Sequence, residues 1–269
     1  MKNALAVFIT FLVAANGFAS ISITDGTPYN QNFDSLASTG SGIAWVNDTT
    51  ISGWDLFRGP APGTAIPTYT TGAGTVNTGS FYSFGSAGST ERALGGLASG
   101  GAYFGSPASG AVAGWIAVSL VNNSGSAINS FSVQYDGEQW RDGGAATPTA
   151  QTMVMELGVG SSFTTVSSWA AAGSGFNFTS PVYANLTTGA AVDGNVAGKV
   201  AAIGGTVSSL TWNNGDTLWV RWIENNDAGN DHGLAIDNFQ FTAVVPEPST
   251  FALVGLGLAG LMVSRRRKS

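Results

Sequence analysis

The 269-residue chain contains no cysteine and a single histidine. The absence of cysteine excludes disulfide bonds and thiolate metal sites, so the fold must depend on its hydrophobic core, which a chain of this length can supply. A lone histidine argues against the catalytic metal sites that recruit several imidazoles. No stretch between the termini repeats apolar residues at the helical period of 3.6, which argues against a helical fold.

Charged residues are also scarce, at 10% of the chain, and they are unevenly distributed. Outside Lys2 and the four cations near the C-terminus, five basic residues face 16 acidic ones, a net charge near −11. An acidic protein repels nucleic acid, whose binding requires cations that neutralise phosphate. We therefore expect no nucleic-acid partner and a protein that attracts divalent cations.

The N-terminus has the parts of a secretory signal peptide. Lys2 supplies a positive charge, residues 4–15 are apolar, and Gly17 and Ala19 are small. We predict a signal peptide over residues 1–19 that is cleaved after Ala19, with Ala15 as the alternative cleavage site. A retained N-terminal anchor is the other interpretation.

The C-terminal segment, residues 244–269, has three parts. It begins with the tripeptide Pro246, Glu247 and Pro248, which is extended because proline fixes its own φ and disfavours helix in the residue before it. Residues 249–264 form an apolar span that we predict to be a transmembrane helix, although such helices usually have about 20 residues. The basic stop that follows consists of Arg265, Arg266, Arg267 and Lys268.

This order of Pro-Glu-Pro, apolar span and arginine cluster resembles the PEP-CTERM sorting signal of Gram-negative bacteria. The resemblance implies recognition by an exosortase, a membrane transpeptidase that cuts near the tripeptide. It also implies export through the inner membrane, a transient hold in that membrane, and delivery to the cell surface or extracellular matrix. An ordinary C-terminal membrane anchor is the alternative.

Residues 20–243 have the pattern of one all-β domain. Short alternating or apolar runs recur between clusters of small and polar residues, and the 38 glycines supply turns and bulges. These features predict a single β-sandwich, jelly-roll-like, with long Gly-rich loops. Segment 58–80 is predicted to be a surface excursion. The predicted strands are 113–121, 130–135, 152–158, 217–223 and 234–242.

Two segments, 137–144 and 224–233, combine aromatic, acidic and carboxamide side chains and are predicted to be loops at strand ends. Sandwich proteins commonly carry function in such loops. In a sugar site, Trp140 would stack on a pyranose ring while its neighbours bond hydroxyl groups. The alternative is internal ion pairing, with Arg141 and Arg221 stacked on tryptophan. The candidate ligand-binding residues are Glu138, Gln139, Trp140, Arg141, Glu224, Asp227, Asp231 and His232.

The sequence Ala-Ile-Asp-Asn-Phe at 235–239, with Asn-Phe-Asp at 32–34 and Gly-Trp at 53–54, resembles the closing and opening strands of galactose-binding-like jelly rolls. Many carbohydrate-binding modules belong to that family. The resemblance implies a structural calcium ion that bridges the terminal strands, with Asp34 and Asp237 as ligands. The alternative for Asp237 is a β-bulge or a turn hydrogen bond.

No catalytic signature is present, since the Gly-x-Ser-x-Gly elbow of serine hydrolases does not occur. His232, with Asp231 beside it, has the chemistry of a general base, and Glu138 with Glu224 or Asp227 that of a glycosidase pair. We predict a non-catalytic surface module that binds extracellular polysaccharide. A polysaccharide hydrolase that uses these carboxylates and a purely structural matrix component are the alternatives.

Overall fold

The computed structural model describes residues 20–183, 187–208 and 210–246. The predicted signal peptide, the predicted transmembrane helix and the basic stop lie outside these residues. Within them, no helix has the length and apolar character needed to cross a membrane.

The described residues form 18 strands and three short 3-10 helices, at Ala102–Phe104, Phe163–Thr165 and Ser174–Phe176. In chain order, the strands are β1 (Ile21–Ile23), β2 (Tyr29–Gln31), β3 (Ile43–Ala44), β4 (Trp54–Arg58), β5 (Thr64–Ala65), β6 (Thr68–Gly72), β7 (Ser80–Phe84), β8 (Ala93–Leu97), β9 (Val112–Asn122), β10 (Phe131–Asp142), β11 (Thr152–Met153), β12 (Met155–Val159), β13 (Ala170–Ala171), β14 (Phe178–Thr179), β15 (Ala190–Ala191), β16 (Lys199–Val207), β17 (Thr217–Asn225) and β18 (Gly233–Ala243).

Most of these strands assemble into two sheets within the described ranges. The first sheet has the order β13-β12-β17-β9-β4-β5, and β1 adds to it parallel to β9. The second sheet has the order β15-β10-β18-β8-β7-β6-β3, with β16 paired to β10 and β2 paired to β18. Strands β11 and β14 form a separate two-stranded ladder.

The core lies between the two sheets, and the alternation of side chains along each strand decides which residues reach it. In β17, Val220 and Trp222 belong to the main core, whereas Trp219 belongs to a separate cluster on the outer face of the first sheet. Trp222 packs edge-on against Phe239 of β18, with ring centroids 5.6 Å apart. This contact packs the first sheet against the second in the main core.

The predicted all-β sandwich is confirmed, and each of the five predicted strand segments overlaps an observed strand, although segment 152–158 is divided between β11 and β12. Two local predictions are wrong. Segment 137–142 is not a loop, because β10 continues through Asp142 with β18 paired along one edge. Segment 58–80 is more than a surface excursion, because it contains β5 and β6 and buries Ile66 and Tyr69 in the main core.

Candidate functional site

Strand β10 sends the residues after Asp136 to opposite faces of the second sheet. Gly137 faces the core, where a Cβ would lie 2.3 Å from the Phe178 ring. Trp140 faces outward, yet it is buried, since its ring is parallel to that of Phe84 at 6.1 Å and Gly194 lies against it. The prediction that Trp140 stacks on a sugar from an exposed loop is therefore wrong. Trp140 lies in a strand, and Phe84 and Gly194 cover its ring.

On the same outer face, three carboxylates meet: Glu91, Glu138 and Asp237. One oxygen from each lies within 4.8 Å of the others. Asp237 comes from β18, where Asn238 has a φ of 48° and the pairing with β10 shifts, so the β-bulge named as the alternative for Asp237 is present. Glu91 precedes β8, and β8 pairs with β18. Neighbouring strands thus gather residues that are far apart in sequence.

Each of these carboxylates has one oxygen held by a donor. Trp140 Nε1 donates to Glu138 Oε2 at 3.0 Å, Asn195 Nδ2 to Glu91 Oε2 at 2.5 Å, and Asn238 Nδ2 to Asp237 Oδ2 at 2.8 Å. The other oxygen of each is buried and has no hydrogen-bond partner among the described residues. An unpaired buried acceptor typically costs about 1–3 kcal/mol, more if it is charged. Three in one cluster indicate that a partner is needed here.

The electrostatics of the cluster disfavour three ionised carboxylates. Burial, followed by the charges of Asp237 and Glu91, raises the pKa of Glu138 to about 8. Burial is also the main reason that the pKa of Asp237 is raised to about 7. The cation nearest to Glu138, Lys199, lies 4.0 Å from its Oε1 but only 2.8 Å from Asp136, with which it pairs. Positive charge is therefore insufficient for the three carboxylates.

Asp34, the other predicted calcium ligand, lies outside this group of three. It is exposed, its Oδ1 accepts from the Arg92 backbone N–H at 3.0 Å, and its Oδ2 accepts from Asn32 at 2.7 Å. The structure brings Asp237 together with Glu91 and Glu138 instead. Sequence reasoning missed Glu91, whose one signal was that it is an acid in a charge-poor chain.

The two segments predicted to carry function do meet, at a polar cavity of about 390 Å³. Of the candidate ligand-binding residues, Arg141 and Asp231 line it, together with Asn226 and Asn230. Arg141 donates to the Gly74 carbonyl at 2.9 Å. Burial raises the pKa of Asp231 to about 7, so this carboxyl titrates near neutral pH. The cavity therefore offers mainly amide, guanidinium and carboxyl groups.

The predicted glycosidase pairs are not assembled. Glu224 points between the sheets, where a Cβ on Gly96 would lie 2.8 Å from its carboxyl carbon, and burial raises its pKa well above the usual range. Glu138 points to the outer face of the second sheet and is fully buried. Asp227 follows β17 in a half-buried turn, where its backbone N–H donates to Asp231 at 2.7 Å. Glu138 and Glu224 face no common cleft.

His232 is oriented by Asp142 and not by Asp231. Its Nε2 lies 3.4 Å from Asp142 Oδ1 and its Nδ1 lies 3.0 Å from Ser180 Oγ. A hydrolase nucleophile must be accessible, but Ser180 is only 2% exposed and its Oγ accepts from the Gln151 N–H at 2.9 Å. Burial lowers the pKa of His232, so a neutral imidazole links three segments of the fold.

The alternative of internal ion pairing is borne out for Arg221. Its Nε and Nη2 contact Glu156 Oε2 at 2.8 and 2.5 Å, and its guanidinium lies 3.8 Å from the Trp169 ring centroid. This group is part of the cover on the outer face of the first sheet. Gln139, the remaining candidate, is buried, and its Oε1 accepts from the Val182 N–H at 2.8 Å.

Comparison with known families concerns the end of the chain. Residues 244–268 match the model described as the PEP-CTERM protein-sorting motif. This chain carries a PEP-CTERM sorting motif. The match spans the Pro-Glu-Pro tripeptide, the apolar span and the arginine cluster, so the resemblance seen in the sequence is confirmed. No curated protein matches the chain.

Solved structures give distant likenesses. The CBM22-1 xylan-binding domain of Paenibacillus barcinonensis Xyn10C is 10% identical, with a TM-score of 0.35 over 83% of this chain and 99% of that domain. The isomalto-dextranase of Arthrobacter globiformis T6, complexed with panose, is 12% identical, with a TM-score of 0.31 over 82% of this chain. That match spans 33% of the enzyme. At these scores, neither likeness bears on a ligand.

Proposed function

We propose that this chain is an exported surface protein, sorted by an exosortase, whose β-sandwich is a non-catalytic binding module stabilised by calcium. The sorting motif supports the first part. The last strand ends at Ala243, and Pro246 is exposed. The tripeptide therefore begins just beyond the folded domain, where a membrane transpeptidase can reach it.

The observation that carries the calcium site is the set of three unpartnered carboxylate oxygens at Glu91, Glu138 and Asp237. Calcium takes six to eight oxygen ligands in flexible geometry, and carboxylates are its usual protein ligands. Softer transition metals prefer imidazole or thiolate, and neither belongs to the cluster. The chemistry of these donors therefore fits calcium, with water or carbonyl groups completing its shell.

The role of the ion would be structural. Bound there, it would offset the repulsion among the three carboxylates, which β10, β18 and the segment before β8 bring together. Glu138 and Asp237 are 0% and 3% exposed, so these carboxylates offer no surface for a polymeric substrate. Calcium would thus stabilise the sandwich.

Thermal unfolding of the full chain, purified in detergent from exporting cells, tests the calcium site. EGTA should lower the melting temperature, and calcium should restore it. Asp237→Asn should remove this response, whereas Asp25→Asn, which changes an exposed acid elsewhere, should retain it. An unchanged melting temperature under chelation would exclude the site.

Polysaccharide is the ligand class that we propose for the polar cavity. Arg141, Asn226 and Asn230 each donate a hydrogen bond to a backbone carbonyl of the protein. Their remaining guanidinium and amide groups can hydrogen-bond sugar hydroxyls, and Asp231 adds a carboxyl. Binding to a glycan array should fall when Asn230 is changed to Ala. A wild-type protein that binds no glycan would contradict this assignment.

A further inference from the structure

A second acidic site lies on the outer face of the first sheet. It is separate from the polar cavity and from the three carboxylates Glu91, Glu138 and Asp237 of the proposed calcium site. It is a cavity of about 280 Å³, and Asp48 and Asp55 are its only titratable lining residues within the part of the chain that the structure describes. The rest of the lining is aromatic, small or neutral polar. It consists of Ser20, Asn47, Phe57, Ala65, Ser119, Ser161, Ser162, Phe163, Thr164 and Trp219.

The two carboxyl groups are buried beside each other without a cation. Asp55 is 4% exposed and Asp48 is 7% exposed. Asp48 Oδ1 accepts from the Gly53 N–H at 2.7 Å, but no ion pair among the described residues involves either acid. Burial, followed by the charge of Asp48, raises the pKa of Asp55 to about 8. A buried carboxylate usually has a cationic partner, so this pair lacks one.

The position of Ser20 in the wall of this cavity is set by the strand that follows it. In β1, Ile21 is in register with Leu120 of β9. Ile21 also packs on Gly53, where a Cβ would lie 2.6 Å from its Cδ1. Gly53 belongs to the turn whose N–H binds Asp48. The contacts of Ile21 therefore fix Ser20 in the wall of the same cavity that Asp48 and Asp55 line.

We propose that cleavage after Ala19 creates the missing cation, and that the α-ammonium group of Ser20 ion-pairs with Asp55 and Asp48. Signal peptidase adds water across the Ala19–Ser20 peptide bond. The new carboxylate leaves with the signal peptide, and the nitrogen of Ser20 becomes an amine that takes up a proton at neutral pH. Before cleavage, that nitrogen is an uncharged amide with at most one hydrogen to donate.

The consequence is that maturation stabilises the sandwich. Before cleavage, the described residues place two buried acids and no cation in this cavity, whereas the cleaved chain would have a charge-assisted pair there. This inference depends on the predicted cleavage site and is independent of calcium, whose site lies on the other sheet.

The test compares two exported full-chain proteins, each made with its own leader and with its N-terminus verified by mass spectrometry. One starts at Ser20; the other has two neutral residues inserted between Ala19 and Ser20, which moves the amine out of the cavity. The insertion should lower the melting temperature by roughly 5 °C or more. In an Asp55→Asn background the insertion should have a smaller further effect, since only Asp48 then remains to pair with the amine.

An Asp25→Asn background is the matched control, and there the insertion should keep its full effect. Equal melting temperatures with and without the insertion would overturn the proposal. So would an insertion effect of the same size in Asp55→Asn, or a natural N-terminus that starts before Ser20. Calcium is kept constant throughout, so a failed calcium site would leave these comparisons unaffected.

Discussion

Removal of calcium should make the stability of this protein depend steeply on pH. Without the ion, the folded state raises the pKa of Glu138 to about 8 and that of Asp237 to about 7, through burial and mutual repulsion. In the unfolded chain both groups titrate near pH 4. A raised folded-state pKa favours the protonated group, so its contribution to stability is present below about pH 4 and is lost as the pH rises to about 8.

The magnitude follows from the shifts. One pKa unit corresponds to about 1.4 kcal/mol, so ionisation of either carboxyl in the cation-free fold costs on the order of 4 kcal/mol at about pH 8. The two groups titrate as a coupled pair, so their costs do not simply add. A bound calcium ion would offset this cost. Calcium should therefore stabilise the protein far more at about pH 8 than at about pH 5, where protons compete with it.

The assay is urea unfolding of the full chain in calcium and in EGTA across this pH range. Glu138→Gln supplies a sharper comparison, because the variant cannot ionise at this position. In EGTA at about pH 8 it should be more stable than the wild-type protein, and in calcium it should be less stable. A calcium effect that is equal at both ends of the pH range, or a variant that is less stable in both buffers, would refute the reasoning.

Three further predictions concern other parts of the chain. Gly194→Ala should cost about 1–3 kcal/mol in urea unfolding, because its Cβ would lie 2.3 Å from the Trp140 indole. Arg221→Lys should cost about 1–2 kcal/mol in the same assay, because lysine cannot reproduce the double contact with Glu156 or the stacking on tryptophan. Alanine at all of 246–248 should leave an unprocessed, larger protein in the membrane fraction on an immunoblot.

A specific outcome would contradict each of these three predictions. Gly175→Ala is the control for the first, since no atom lies within 4 Å of a Cβ there, and equal losses for both glycines would show that the contact with Trp140 is unimportant. Full stability of Arg221→Lys would show that the pair with Glu156 contributes nothing. Normal processing of the tripeptide variant would show that recognition lies elsewhere in the motif.

Periodicity made the fold predictable, because alternation in segments such as 217–223 reports directly which face of a strand is buried. It did not show where β10 ends. Residues 137–142 are polar and begin with glycine, which favours a loop locally, but β18 along one edge and β15 and β16 along the other continue the ladder through them. Pairing with neighbouring strands overrode the local preference.

The candidate site was only partly predictable for the same reason. Asp237 was predicted because residues 235–239 resemble the closing strand of galactose-binding-like jelly rolls, and Glu138 because it lies among aromatic and polar residues. Glu91 carries no such mark, and only the pairing of β8 with β18 brings it to Asp237. The contact between His232 and Ser180 likewise spans segments that no local pattern connects. Long-range strand pairing thus decides which polar residues meet.

The most direct test of the calcium site is isothermal titration calorimetry, in which calcium is added at about pH 8 to the full chain from which EGTA has removed bound calcium. We expect one ion to bind per sandwich, with release of protons, because the carboxyls of Glu138 and Asp237 are partly protonated before the ion enters. Glu138→Gln should abolish or greatly weaken this binding. A wild-type protein that binds no calcium, or binding that Glu138→Gln leaves unchanged, would contradict the account.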